Sequence, residues 1–261
     1  MQVKLLKYIF FGFILIMGNQ VLFSQQNQTD EMGRKQGKWI KYKDGVKFYE
    51  GQFVDDRPTG EFLRYYKSGR LESKSLYSQN GSHCLVEMFY DDRKKTPKAK
   101  GLYIDQVKDS LWLLYNSDGV LVNEEYYTKG QGNGLWKLYN YVGALMKETS
   151  YVNGKIHGEQ IEYFEEGTLQ RKMTFKEDEL HGVFEVYYPE NKIRVAGVFK
   201  EGMQIGEWTY YDVDGSVLYI EYYEEGSLLK RLDSNGKPVE VVQVIDTVDM
   251  GVTPEELMEM K

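Results

Sequence analysis

The sequence returns to itself every 24 residues, and that period constrains the fold more than any single motif does. "GLWKLY" begins at Gly134, "GEQIEY" at Gly158, "GVFEVY" at Gly182 and "GEWTYY" at Gly206, each 24 residues after the last. "SLWLLY" stands one period earlier at Ser110, and "GKWIKY" and "GEFLRY" begin at Gly37 and Gly60. A worn copy, "CLVEMF", begins at Cys84. Eight copies therefore fill residues 37–230. Counting each first residue as offset zero, offset five is always aromatic, from Tyr42 to Tyr211. Offset seventeen is aromatic as well: Phe53, Tyr77, Tyr103, Tyr127, Tyr151, Phe175, Phe199 and Tyr223, once small length changes are allowed for. Offset nine is Gly, with Gly45 standing for it in the shorter first copy and Asn191 in the seventh; the third copy has neither. Asn is the best non-Gly residue at a left-handed position, so the exchange marks a turn with φ > 0.

Each copy thus predicts a strand, a tight turn at offsets six to ten, a second strand and a second turn such as "VNGKIHG". Strung together these make an all-β, extended and twisted antiparallel meander of about eight hairpins. If the turns keep register, offsets five, eleven and seventeen share parity and form one ladder on one face. "NGKIHGEQIEYFEEGTLQ" and "EGMQIGEWTYYDVDGSVL" resemble the MORN-repeat variant, a glycine- and tyrosine-rich hairpin repeat of roughly this length. The resemblance covers residues 37–230. It implies a single twisted sheet and a role in scaffolding, protein binding or lipid contact. Bacterial proteins that carry the repeat are often labelled YwqK-family antitoxins, which implies a toxin partner as a further alternative.

Composition agrees with strands and turns. Aromatics make up 15% of the chain, with 22 Tyr, and there are 26 Gly against 5 Pro. Aromatics suit pleated surfaces and Gly suits tight turns. The net charge of −7 provides no global field for nucleic acid. A lone Cys84 excludes an internal disulfide framework and an all-Cys zinc site.

The ends differ from the array. Lys4 and Lys7 precede an apolar run from Tyr8 to Met17, which suits a secretory signal and is short for a membrane span. We expect a signal peptide at 1–24, cut near Ser24–Gln25, and an exported protein that is periplasmic, envelope-associated or secreted. An uncleaved anchor is the alternative. Residues 25–36 form a polar lead. Residues 231–261 contain "VEVVQVI", a candidate closing strand, then a short helix with Thr253 as N-cap, Pro254 in the first turn and Glu256 three residues on.

Candidate sites divide into a few sets. His157 and His181 share one offset, but equivalent offsets lie two strands and roughly 9–10 Å apart, which strains a shared metal ion. His83 and Cys84 are adjacent, so on a strand they point to opposite faces rather than pairing as base and nucleophile. Asp118, Glu165, Glu166, Glu190 and Asp214 recur with the period at hairpin turns, where solvated acids are expected. Trp39, Trp112, Trp136 and Trp208 all sit at offset two, either as an aromatic surface for a partner or as rings each covering the bare repeat Gly of a neighbouring strand. Arg93, Lys94, Lys95, Lys98 and Lys100 form a basic cluster in an acidic chain, a candidate contact for an anionic lipid or acidic partner. No phosphate loop, zinc spacing or hydrolase elbow is present, so neither cofactor nor metal nor catalytic set is expected. The reading is a non-enzymatic binding or scaffold protein of the cell envelope. It would engage a protein partner through a sheet face or edge, with peripheral membrane contact or toxin neutralisation as alternatives.

Overall fold

A computed structural model of the chain describes residues 26–240. The signal peptide and the C-terminal helix expected above lie outside these residues. Among the described residues the fold is all-β: one sheet of 20 strands, two of them two-residue strands at its ends, with a single 3-10 turn at Gln79–Gly81. Each long strand pairs antiparallel with its neighbours in sequence, so the array is an open meander. The sheet runs on past residue 230. Strand Ser227–Asp233 pairs with Pro238–Val239 across a turn in which Gly236 N–H donates to Asp233 O, half of a ninth copy.

Two turns alternate, and the sequence explains both. At the hairpin tip the N–H at offset nine donates to the carbonyl at offset six, as Gly167 does to Phe164 at 2.9 Å. The residue at offset nine is left-handed, with φ +85° at Gly167 and +60° at Asn191. In five copies offset six adds one of two contacts. Asn116 and Asn140 accept backbone N–H groups of their own turn, whereas Tyr66, Tyr90 and Tyr188 donate through their hydroxyls to the carbonyls of Phe89, Tyr115 and Tyr211 in the next copy. The second turn is a two-residue loop with both residues at φ > 0, such as Asn153–Gly154 at +52° and +84°. Its second N–H reaches back to the preceding connection, as Gly154 does to Gly132 O and Asp178 to Ile156 O. Both edges of the meander are therefore tied turn to turn.

Register does not survive these turns, and the single ladder expected from parity does not form. Tyr163 pairs with Leu169 and Glu162 with Arg171, leaving Gln170 as an extra residue. The same bulge recurs between Leu138 and Tyr139 and between Tyr210 and Tyr211. A one-residue bulge moves everything beyond it to the other face. Offset five therefore lies on one face and offset seventeen on the other. A second irregularity sits at offset zero. Thr149 faces Gln160 and Tyr151 faces Ile156, so Ser150 stands against three residues, with Gly158 at φ +104° among them. The irregularity goes with a left-handed residue rather than with Gly alone: Ser110, at φ +60°, keeps it, whereas with Cys84 at offset zero the strands Leu71–Ser78 and His83–Phe89 pair without any shift.

The core lies on one face of the sheet and has two parts. Met173, Phe175, Phe184, Val186, Val195, Phe199, Trp208 and Tyr210 form one cluster, and Cys84, Val86 and Trp112 with their half-buried neighbours form the other.

Candidate binding surfaces

The four tryptophans belong to the core face rather than to an open aromatic surface. Trp112 and Trp208 are buried, Trp208 at 0% exposure, while Trp39 and Trp136 are half-buried. Each ring touches an offset-seventeen aromatic: Trp39 with Phe53, Tyr103 with Trp112, Trp136 with Tyr151 and Phe199 with Trp208, at centroid distances of 4.5–6.2 Å. The glycine they cover is not the repeat Gly at offset zero. A Cβ added at Gly101 or Gly197, near the middle of the preceding strand, would lie inside the Trp112 or Trp208 ring, and Gly51 seats Phe62 in the same way. Where that position is Ser75 or Thr149, the residue opposite is Val86 or Gln160 instead of an aromatic. The match is not general: Met173 holds the same position opposite Phe184.

Glutamates at the seat position mark two special places that sequence reasoning missed. Glu125 and Glu221 stand 96 residues, four periods, apart, each paired across the sheet with the tryptophan of its own copy, Trp112 or Trp208. Both are buried on an aromatic face, where an unpaired carboxylate would be costly. Tyr127 and Tyr223 donate hydroxyls to them at 2.8 Å, and Lys108 at 3.2 Å and Arg231 at 2.6 Å supply the counter-charges. Burial first, then the carboxylate, pushes the Tyr127 and Tyr223 hydroxyls far above their ordinary range. Because Glu125 occupies the seat next to Trp136, that ring leans over Gly132 instead. A shallow recess lined by Asn123, Glu125, Trp136, Lys147, Thr149 and Tyr151 opens there, between the two apolar clusters. The four-period spacing of the two glutamates was the available signal.

The opposite, outer face is mostly charged and self-paired. Lys74 with Glu61, Lys100 with Glu87, Lys137 with Glu148 and Lys172 with Glu159 form cross-strand ion pairs. The offset-five tyrosines lie among them, Tyr65, Tyr139 and Tyr163 donating to Glu50, Glu124 and Glu148 at 2.6–2.8 Å. Two apolar stretches interrupt this pattern: a short one where Val183 pairs with Val198, 43% and 40% exposed, and a longer row in the second to fifth copies. Leu76 pairs with Leu85 and Leu85 with Leu102, followed by Leu111, Tyr126 and Leu135 on the next strands. Leu76 and Leu85 are 53% and 58% exposed.

The remaining sequence candidates separate in space. Arg93, Lys94 and Lys95 are exposed on the third hairpin turn, which Asp92 caps through Thr96 N–H. Lys98 and Lys100 lie on strand Pro97–Ile104; Lys98 sits over the Tyr90 ring and Lys100 pairs with Glu87. Opposite His83 stand Ser78 and Ile104 rather than a carboxylate, and its Nδ1 lies 3.0 Å from Ser82 Oγ. Cys84 is buried against Tyr77 and Tyr103. His181 Nδ1 faces Glu201 N–H.

A family model described as the MORN repeat variant matches residues 58–79, 156–177 and 180–201. Three of the copies are MORN repeat variants. No curated protein matches the chain. Among solved structures, the chain is similar to a mutant of S. aureus TarM in complex with fondaparinux, alpha-GlcNAc-glycerol and UDP: 19% identity over 38% of this chain and 19% of that one, TM-score 0.28. A second TarM structure gives 11% identity over 44% and 18%, TM-score 0.21. A TcdB2-TccC3-Cdc42 structure gives 10% over 81% and 16%, TM-score 0.18. The chain thus spans less than a fifth of the length of each.

The matched MORN repeats are the second, sixth and seventh copies, all with Gly at offset zero. The exposed leucine row, the basic turn and the recess beside Trp136 fall chiefly in the third to fifth copies, outside those three matches.

Proposed function

We propose that the protein is a non-enzymatic binding scaffold of the cell envelope, exported by its N-terminal segment, that takes a protein partner on its outer face. MORN repeats generally occur in binding and scaffold proteins, which supports the coarser part of this reading. The observation that carries the rest is the Leu76–Leu85–Leu102–Leu111–Tyr126–Leu135 row, a longer apolar run than the Val183–Val198 pair on a face that mostly carries Lys–Glu pairs and tyrosines. Such a row inside a charged rim is what a partner surface requires. Crosslinking in envelope fractions, followed by purification, tests it. The wild type should capture one protein in stoichiometric amount that Leu76→Glu plus Leu85→Glu releases while circular dichroism is unchanged. Equal capture by both, or none by either, overturns the reading.

Peripheral contact with anionic lipid is a second reading, motivated by Arg93, Lys94 and Lys95 standing free on one turn. Flotation with phosphatidylserine vesicles should then weaken with salt and with Lys94→Glu plus Lys95→Glu. Absence of flotation at low salt would end it.

A further inference from the structure

Charge is divided between the two halves of the array. Residues 37–110 carry 15 Lys and Arg against 11 Asp and Glu, a net of +4, whereas residues 111–230 carry 11 against 20, a net of −9. The basic half shows its charge at the hairpin turns. Lys43, Lys47 and Arg64 line a shallow concavity with Asp44, Glu72, Phe48 and Tyr66, in which Lys47 pairs with Glu50 and Arg64 with Glu72. The exposed Arg93–Lys94–Lys95 turn follows beside it, joined through Tyr66 to Phe89 O and Arg70 to Asp91. On the same edge the acidic half presents Glu165 and Glu166 at the sixth turn and Asp212 and Asp214 at the eighth. Within one chain these groups cannot neutralise each other. Five strand spacings of about 4.8 Å separate strand Pro97–Ile104 from Lys155–Tyr163, roughly 24 Å, against a screening length near 8 Å at physiological salt.

We propose that the two charged halves are the self-recognition surface of the protein, and that its partner there is a second copy of this chain, basic hairpin turns of one against acidic turns of the other. A foreign polyanion would satisfy only the basic half, whereas a second copy run antiparallel satisfies both at once. Over the first eight hairpin turns the third and sixth are mirror positions, as are the first and eighth, with the ninth turn at Asp233–Gly236 outside the paired stretch. A two-fold pairing therefore sets Arg93, Lys94 and Lys95 against Glu165 and Glu166 twice over, and Lys43 against Asp212 and Asp214. The middle of that edge carries the fifth turn, where Tyr141 and Val142 are 74% and 67% exposed beside the fourth turn, to which Asn116 Nδ2 ties the Tyr141 carbonyl. Apolar side chains thus sit where the two-fold axis would pass. Self-pairing goes beyond the outer-face reading, since a monomer could still hold its partner there.

Sedimentation velocity on the full chain tests this. At about 0.1 M salt the protein should sediment as a dimer that dissociates at about 1 M, where screening falls to about 3 Å. Lys94→Glu plus Lys95→Glu should weaken pairing at least tenfold, and so should Glu165→Lys plus Glu166→Lys. Mixing the two variants should restore association, an outcome that a folding defect in either cannot produce. A monomer at every concentration at about 0.1 M salt overturns the proposal. So does pairing indifferent to both reversals, or a mixture that stays monomeric. Binding of phosphatidylserine vesicles by a chain that remains monomeric would assign the basic half to a membrane instead.

Discussion

The indoles of Trp112 and Trp208 occupy the same offset and the same kind of glycine seat, yet their N–H groups differ. Trp112 Nε1 donates to Leu102 O at 3.1 Å, whereas no described acceptor reaches Trp208 Nε1, which is buried. A buried donor without a partner costs about 1–3 kcal/mol, and a satisfied one contributes about 1 kcal/mol. Denaturant melts should therefore find Trp208→Phe nearly neutral and Trp112→Phe more damaging, by about 1–2 kcal/mol. Equal losses would mean that Trp208 has an acceptor in solution. The seats themselves make a harsher test. Gly197→Ala puts a Cβ inside the Trp208 ring, so the sheet must shift, at a cost of about 1–3 kcal/mol or more by overpacking. Gly167 has open space around its Cα, so substitutions there report backbone conformation alone. At φ +85° Val should be strongly unfavourable, while Asn should be tolerated as Asn191 is at the equivalent turn. Asn as damaging as Val would remove the left-handed turn from the account.

At the scale of the hairpin, the period gave the strands, and the turn at offset nine was legible because Gly and Asn alternate there. The faces were not legible. A parity argument needs a residue count that bulges do not alter, and here the one extra residue at Gln170 and its equivalents flips the count, whereas the irregularity around Gly158 adds two and leaves parity as it was. Nothing in "GTLQRK" or "GKIHGE" announces a bulge, and of the two copies without Gly at offset zero the Cys84 one lacks the second irregularity while the Ser110 one keeps it. The consequence is that Tyr163 and Phe175 lie on opposite faces. Phe175→Ala should cost about 3–5 kcal/mol as a core cavity, and Tyr163→Phe only about 0.5–1.5 kcal/mol for its bond to Glu148. The outer-face tyrosines also bear on pH. Burial and then a carboxylate acceptor push Tyr65, Tyr139, Tyr163 and Tyr187 up to about 12. A folded value above the unfolded one of about 10 means these groups stabilise fully below pH 10 and lose that contribution as pH rises through 12. Replacing all four by Phe should flatten the loss of stability over that window; an unchanged slope would assign it to the core-face tyrosines.

Across the whole molecule the sheet is one but its core is two. In the sixth to eighth copies Phe184, Val195 and Trp208 are fully buried, and a second cluster surrounds Trp112 in the third and fourth. Between them the same face carries Asn123, Glu125, Thr149, Gln160 and Glu162, linked by side-chain hydrogen bonds such as Asn123 to Glu125 and Gln160 to Glu162. Polar belts of this kind hold their register but add little burial free energy. In a meander each copy touches only its neighbours, so stability is nearly a sum of local terms, and the belt is the weakest joint in that sum. Hydrogen exchange should therefore be slowest on strands Glu179–Tyr187 and Ile193–Lys200 and intermediate on His83–Phe89 and Val107–Tyr115. Among interior strands it should be fastest on Gly134–Tyr139, which pairs with Leu121–Thr128 through only two residue pairs. Phe184→Ala, costing about 3–5 kcal/mol, should speed exchange throughout the sixth to eighth copies and leave the Trp112 strands unchanged. If exchange rises equally on both sides of the belt, the array unfolds as one cooperative unit, and the polar belt does not divide it.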